Sequence, residues 1–124
     1  MTKRILVTGS AGNLGRQLVP RLKSRGHDVL GVDLMHVEKD GVRADISIHR
    51  QLERVFKKFH PQIVYNLSAE FGRLNGTEYY EECWSTNMIG NQNVIECCLE
   101  HDAHLIFASS SEAYGDSEIG RAHV

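Results

Sequence analysis

The chain is poor in cysteine, and its cysteines and histidines form no familiar metal-binding or disulfide pattern. Cys83, Cys97 and Cys98 are the 3 cysteines among 124 residues, an odd number without a C-x-x-C pair. The 7 histidines are scattered, with no H-x-x-x-H pair and no grouping with cysteine along the sequence. We therefore predict no metal site, and we expect the cysteines to be small buried side chains in a reducing compartment, the cytoplasm.

Long hydrophobic runs and an excess of charge of one sign are absent as well. The longest apolar runs, Ile5–Val7 and Leu105–Ala108, fall far short of the roughly 20 residues that span a bilayer. The first run continues directly into Thr8-Gly9-Ser10, so we expect no secretory signal. Lysine and arginine number 14 against 16 acidic residues, which speaks against nucleic acid as a partner. We expect one soluble globular domain with no membrane partner.

What the sequence does have is an alternation of short apolar strands with amphipathic helices. The first helix carries leucines every four residues, at Leu14, Leu18 and Leu22, and Ser47 is the predicted N-cap of the second helix. Alternating strands and crossover helices predict an α/β fold, a doubly wound parallel sheet with helices on both faces. The predicted strands are Lys3–Thr8, Asp28–Asp33, Gly41–Ile46, Gln62–Leu67 and His104–Ser109, and the predicted helices are Asn13–Arg25, Ile48–Phe59 and Glu78–Glu100.

Three glycines follow the first strand at G-x-x-G-x-x-G spacing and open the first helix. Such a turn lets a backbone approach a pyrophosphate, and the helix N-terminus offers N–H groups and a positive dipole end to the phosphates. The alternative is a glycine-rich turn made only for packing. The residues assigned to the cofactor are Gly9, Ala11, Gly12, Asn13, Leu14 and Gly15.

Asp33, at the end of the second strand, favours the cofactor interpretation. It follows the glycines at close to the spacing of about 20 residues expected for the acid that binds the adenosine ribose. Leu34 and Met35 come next, so no arginine directly follows to hold a 2′-phosphate, and the pattern favours NAD over NADP. The alternative for Asp33 is a solvated acid at a strand end. Asp45 and Ile46, after the third strand, are predicted to flank the adenine.

Six sequence segments occur in the order found in one known superfamily. They are I-L-V-T-G-S-A-G-N-L-G, G-V-D, A-D-I, N-L-S-A, T-N-M-I-G-N-Q-N-V-I-E and F-A-S-S-S-E-A-Y-G-D, and together they cover most of Lys3–Asp116. The chain resembles the extended short-chain dehydrogenase/reductase superfamily, in its NAD-dependent nucleotide-sugar epimerase/dehydratase family. The resemblance implies a Rossmann-type fold, here ending after about the fifth strand.

The resemblance also implies roles at the nicotinamide end of the cleft. Leu67, Ser68 and Ala69 match the stretch that lines the nicotinamide side. Asn87 matches a helix asparagine that helps to order this side, and its alternative role is a polar residue satisfied against the sheet.

Two further residues match positions that take part in catalysis. Ser110 is in register with the catalytic serine or threonine, although Ser109 and Ser111 flank it and leave a shift of one residue open. Glu112 stands where dehydratases and sugar-acid decarboxylases carry an acid. Together with Asn87, these residues are the predicted catalytic set. A serine run that merely ends a strand is the alternative.

In such enzymes a tyrosinate, with a lysine one helical turn later, removes a hydroxyl proton while hydride passes to NAD. None of the chain's 4 tyrosines is followed by lysine at the fourth position. Because the motif follows the segment matched by Tyr114 in the family, the chain resembles the front third of an enzyme. We expect it to be inactive alone, with the substrate domain absent.

The sequence thus predicts an NAD-binding part, residues 1–118, of a nucleotide-sugar epimerase. A 4,6-dehydratase or decarboxylase is the alternative within the family, and a non-catalytic dinucleotide sensor is the alternative from another class. The expected partners are a nucleotide-sugar substrate and, in the intact protein, a second copy forming a homodimer. The stripe Tyr80, Trp84 and Met88 resembles the family's dimer surface.

The last six residues, 119–124, have no apolar period and no helix cap. We predict an unstructured tail. One back-translation, ATC GGA AGA GCA CAC GTC, matches an adapter used in short-read sequencing, which favours an artefactual origin over an ordinary polar terminus.

Overall fold

The computed structural model describes residues 1–34, 39–68, 81 and 85–108, which form one five-stranded parallel sheet flanked by helices. The strands are β1 (Arg4–Thr8), β2 (Asp28–Asp33), β3 (Val42–Arg43), β4 (Ile63–Asn66) and β5 (His104–Phe107). The helices are α1 (Asn13–Ser24), α2 (His49–Phe59), a π-helix (Ser85–Gly90) and α3 (Asn91–Glu100). Within this part of the chain, no helix combines the length and apolarity needed to cross a membrane.

The strand order is β3-β2-β1-β4-β5, and every neighbouring pair is parallel. The chain therefore runs from β1 through β2 to β3 at one edge of the sheet, and it then crosses back to form β4 and β5 on the other side of β1. Ligand clefts in such sheets lie at the carboxyl ends of the strands, where the order reverses. Here that point lies between β1 and β4, and the predicted doubly wound fold is confirmed.

The two faces of β1 explain why helices cover both sides of the sheet. Ile5 and Val7 pack with α1, whereas Leu6 packs into the larger core beneath α2 and α3. Alternate residues of a strand point to opposite faces, so a strand with apolar residues on both faces requires cover on both. The larger core consists of Leu6, Val32, Ala44, Ile46, Leu52, Val55, Phe56, Val64, Val94, Cys97 and Cys98.

Helix α1 differs from the prediction in part of the face that it buries. In α1 the buried residues are Gly15, Val19 and Leu22, whereas Leu14 is 57% exposed. The predicted leucine face is confirmed at Leu22, which is buried, and at Leu18, which packs against the same cluster, but it is wrong at Leu14. A Cβ on Gly15 would lie only 2.7 Å from Ser10 Cα, so α1 packs by its backbone.

The start of α2 was also predicted wrongly. Ser47 is not the N-cap, because its N–H and hydroxyl both donate to Asp45 Oδ1, at 2.9 and 2.7 Å. Ile48 holds the N-cap position instead. The buried face of α2 consists of Leu52, Val55 and Phe56.

Two predictions of the third helical region have different outcomes. The expected burial of Cys97 and Cys98 is confirmed, and both thiols are free. The predicted long helix contains a π-helix directly before α3, which shifts the faces of the two parts relative to each other. Cys83, Tyr80, Trp84 and the predicted tail 119–124 lie outside the described residues.

Candidate functional site

The glycine turn between β1 and α1 lies against the carboxyl end of β4. Gly9 has φ +70°, and a Cβ there would lie 2.8 Å from the Leu67 carbonyl carbon and from the Ser68 nitrogen. Any L side chain would therefore be both strained and in collision with backbone. Gly12 N–H donates to the Gly9 carbonyl at 3.1 Å, which closes the turn.

The N-terminus of α1 is open and has no acidic residue in its own first turn. Gly12 is its N-cap, no side chain caps it, and its first turn contains no acidic residue. Gly12, Asn13 and Leu14 are exposed. First-turn N–H groups without an intrahelical partner, together with the positive end of the helix dipole, make an anion site. A phosphate group would fit here.

Asp33 is held against this turn. Ala11 N–H donates to Asp33 Oδ2 at 3.0 Å, and Ser10 N–H donates to the Val32 carbonyl at 3.2 Å. The end of β2 and the glycine turn are therefore one hydrogen-bonded unit, with a half-buried carboxylate beside the helix N-terminus. This is the juxtaposition that the spacing of the glycines and Asp33 predicts.

One basic residue beside Asp33 was missed in the sequence. Arg43 pairs in register with Asp33 across β2 and β3, so both side chains leave the sheet on the same side. Arg43 is not among the residues that directly follow Asp33, on which the preference for NAD was based. Arg43 is distant in sequence, and only the strand order brings it next to the acid.

Asp45 and Ile46 lie where the chain passes from β3 to α2, and they contribute differently. The Ile46 side chain is buried in the larger core, and its carbonyl accepts a hydrogen bond from Asn93 Nδ2 at 2.8 Å. A contact between Ile46 and an adenine would therefore have to come from the backbone. Asp45 is half-buried, and its carboxylate accepts hydrogen bonds from Ser47.

The ends of β1 and β4 are joined by a buried hydroxyl. Thr8 is 0% exposed, and its Oγ1 donates to Asn66 Oδ1 at 2.6 Å. The same oxygen accepts hydrogen bonds from the N–H groups of Leu67 and Ser68, at 3.2 and 3.3 Å. Thr8 thereby fixes the described part of the predicted nicotinamide stretch.

The same network reaches Asn87. Asn66 Nδ2 donates to Asn91 Oδ1 at 2.8 Å, and Asn91 Nδ2 donates to the Asn87 carbonyl oxygen. Asn87 lies within the π-helix, a rare element that is frequent at functional sites. Thr8, Asn66 and Asn91 were not singled out in the sequence, although each belongs to one of the segments that carry the family resemblance.

Of the remaining predicted site residues, Ala69, Ser110 and Glu112 lie outside the described residues. The structure therefore brings together the glycine turn, Asp33, Leu67 and Ser68 at one end of the sheet. Asn87 is tied to that end through Asn91 and Asn66.

A second polar cluster lies between α2 and the end of α3, where the sequence predicted only a buried Cys97 and no metal site. Burial opposes ionisation of Glu53, but its hydrogen bond and charge interaction with His101 lower its pKa below the usual value. Burial, with the nearby Glu53 charge, raises the pKa of the Cys97 thiol to about 12. Cys97 is thus a neutral thiol that donates to the Glu53 carboxylate at 3.7 Å.

The sequence of the chain is similar to those of known proteins. The sequence profile of the NAD dependent epimerase/dehydratase family matches residues 5–122. A UDP-N-acetyl-alpha-D-glucosaminuronate decarboxylase of Bacillus cytotoxicus is 30% identical over 125 residues, covering 93% of this chain. The chain spans 39% of the length of that relative.

Solved structures agree with the sequence relatives. A UDP-glucose 4-epimerase of Thermus thermophilus in complex with NAD matches with TM-score 0.80 and 30% identity, covering 86% of this chain and 37% of that one. A UDP-glucose 4-epimerase of Thermotoga maritima with UDP-glucose matches with TM-score 0.84 and 27% identity, covering 92% of this chain and 40% of that one.

Proposed function

The chain belongs to the NAD-dependent epimerase/dehydratase family, and we propose that it is the NAD-binding part of a nucleotide-sugar epimerase. The observation that carries the proposal is the hydrogen bond from Ala11 N–H to Asp33 Oδ2 at 3.0 Å. It holds a ribose-binding acid beside a glycine turn and an open helix N-terminus. Because the chain spans 39% of the length of the decarboxylase relative, the reaction itself is part of the proposal.

Each part of the site has a distinct task in this proposal. The first-turn N–H groups of α1 bind the pyrophosphate, and the carboxylate of Asp33 accepts hydrogen bonds from the ribose hydroxyls. A side chain at Gly9 or Gly15 would meet backbone, so these glycines keep the turn compact. Leu67 and Ser68, fixed by Thr8, line the nicotinamide side.

The chemistry belongs to the far end of the cleft. NAD supplies a reversible hydride acceptor there. Ser110 positions the sugar oxygen whose charge changes, Asn87 orders that side of the cleft, and Glu112 supplies an acid. Glu112 and the decarboxylase relative favour dehydration or decarboxylation as the second candidate reaction.

The oligomer and the compartment complete the proposal. We infer a homodimer for the intact protein and a cytoplasmic location. Met88, the described member of the predicted dimer stripe, is 54% exposed, and the free thiols of Cys97 and Cys98 fit a reducing compartment. A non-catalytic sensor remains the alternative class. A Y-x-x-x-K motif following Tyr114 in the complete reading frame would support the enzyme, and its absence would support the sensor.

Calorimetric titration of NAD and NADP into the chain tests the cofactor assignment. We expect NAD to bind more tightly, and Asp33→Asn to weaken its binding roughly 5- to 150-fold, equivalent to about 1–3 kcal/mol. Asparagine retains an acceptor for Ala11 N–H, so the turn survives the change. Asp28→Asn, the same change at the exposed start of β2, is the control and should leave binding unchanged.

Arg43 provides the second arm of this experiment. Arg43→Gln should leave NAD binding unchanged and weaken residual NADP binding, because Arg43 pairs in register with Asp33 and supplies a cation on the same side of the sheet for a 2′-phosphate. Tighter binding of NADP than NAD by the unaltered chain would refute the assignment.

A further inference from the structure

The polar cluster between α2 and α3 contains two pairs, each spaced one helical turn apart, together with Lys57, whose Nζ lies 3.8 Å from Glu53 Oε1. His49 and Glu53 share one side of α2, and Cys97 and His101 share one side of α3 and its C-cap. Residues four apart on a helix are neighbours on its surface. The two pairs face each other, and the sequence conceals this because members such as Cys97 and His49 are 48 positions apart.

Three of these side chains bring their ligand atoms to within the size of one coordination sphere. Cys97 Sγ lies 3.9 Å from His49 Nε2 and 3.7 Å from Glu53 Oε2. The third edge, between His49 Nε2 and Glu53 Oε2, is 4.0 Å. A tetrahedral zinc site with bonds of about 2.0–2.3 Å has edges of about 3.3–3.6 Å. Side-chain movements of a few tenths of an ångström would therefore bring the three ligand atoms to the distances of a zinc site.

The fourth side chain fixes the carboxylate. His101 Nε2 lies 3.3 Å from Glu53 Oε1, the carboxylate oxygen that is not one of these three ligand atoms. Partners of this kind orient metal-binding carboxylates. The side chains of Glu53 and His101 are 15% and 17% exposed, whereas that of His49 is 45% exposed. The crevice therefore opens to solvent at His49, which provides an entry path and a place for a water ligand.

The donor set identifies the class of ion. Thiolate, imidazole and carboxylate suit zinc and similar divalent transition metals, whereas magnesium and calcium require oxygen donors. We propose that His49, Glu53 and Cys97 bind one divalent transition metal ion of the zinc class, with His101 as the positioning residue for Glu53. This inference goes beyond the proposed function, because the cluster is separate from the glycine turn and Asp33.

Binding is a ligand exchange that balances in charge and atoms. The Cys97 S–H bond breaks, an Sγ–metal bond forms, and the proton leaves to solvent. The thiolate and the Glu53 carboxylate then neutralise the 2+ ion, and His49 binds through its neutral Nε2. The ion would join α2 to α3 across the larger core, so it would act as a structural staple.

Cobalt(II) titration of the untagged, chelator-treated full chain tests the proposal. We expect one equivalent to give a thiolate-to-cobalt charge-transfer band and the visible bands of tetrahedral cobalt, both displaced by zinc. Cys97→Ala should abolish the charge-transfer band. Cys98→Ala, at the adjacent cysteine buried in the same core, should retain it.

His49→Gln keeps the test independent of core packing, because His49 is largely exposed. It should weaken zinc binding at least tenfold in competition with a chromophoric chelator, whereas His104→Gln on β5 should not. Zinc should also raise the melting temperature of the unaltered chain and not that of the Cys97→Ala variant. A missing charge-transfer band, or one that survives Cys97→Ala, would overturn the proposal and leave a hydrogen-bonded cluster around Glu53.

Discussion

Replacing Thr8 by valine tests how strongly one buried hydroxyl joins the two halves of the sheet. Valine has nearly the shape of threonine but cannot donate to Asn66 Oδ1 at 2.6 Å. It also cannot accept from Ser68 N–H at 3.3 Å. Leu67 N–H keeps a partner, because it also donates to the Thr8 carbonyl oxygen. The variant thus leaves two polar groups without their present partners.

The cost follows from the burial of those two groups. Asn66 is 2% exposed, and an unsatisfied group at such a position costs about 1–3 kcal/mol. Ser68 N–H is only partly buried, so its contribution lies at the lower end of that range. We expect Thr8→Val to lower the free energy of unfolding by about 2–4 kcal/mol, measured by equilibrium urea denaturation.

Thr8→Ser is the matched control. It keeps the hydroxyl and removes one buried methyl group, which costs about 1 kcal/mol. The serine variant should therefore be clearly more stable than the valine variant. If the Thr8→Val variant is as stable as the Thr8→Ser variant, burial of the methyl groups outweighs the hydrogen bonds. The hydroxyl network would then not be what holds β1 to β4.

Three further expectations follow from the structure. Gly15→Ala should lower the free energy of unfolding by about 1–3 kcal/mol, because the added Cβ would meet the Ser10 backbone. Gly12→Ala should barely change the midpoint of urea denaturation but should weaken NAD binding. Equal urea midpoints for the two variants would contradict this expectation. Phe56→Ala, at a fully buried position, should lower the free energy of unfolding by about 3–5 kcal/mol. Ile48→Ala, at the exposed N-cap of α2, should lower it by less than about 1 kcal/mol. Similar losses for the two variants would refute the assignment of Phe56 to the core. The chain alone should convert no nucleotide sugar, because none of its tyrosines has a lysine four residues later, and chromatography showing any conversion would disprove that.

Sequence patterns predicted those features that depend on neighbours along the chain. β2 was predicted with its observed bounds, because a short apolar run lies between Gly26 and Asp33. The approach of Asp33 to the glycine turn was also predictable, since two parallel strands joined by one helix end at the same edge of the sheet.

Features set by contacts between distant segments were not predictable in this way. Arg43 lies beside Asp33 only because β3 adds to the outer side of β2. The π-helix ends at Gly90, where a Cβ would lie 2.7 Å from Ile46 Cδ1, so the π-helix packs closely against the segment between β3 and α2, a contact that periodicity does not reveal. The meeting of His49 with Cys97 likewise depends on how α2 and α3 pack.

The parallel sheet has a consequence for how the chain folds as it is synthesised. Thr8 and Asn66, which join β1 to β4, are 58 positions apart, and closing a loop of that length costs about 3–4 kcal/mol of chain entropy. At about 5–20 residues per second, a ribosome needs roughly 3–12 s to supply the intervening segment. β1, of whose five residues four are buried, therefore emerges long before the neighbour that covers its second edge. During those seconds one edge of β1 has no partner strand, and synonymous changes that slow translation before residue 66 should lengthen that interval.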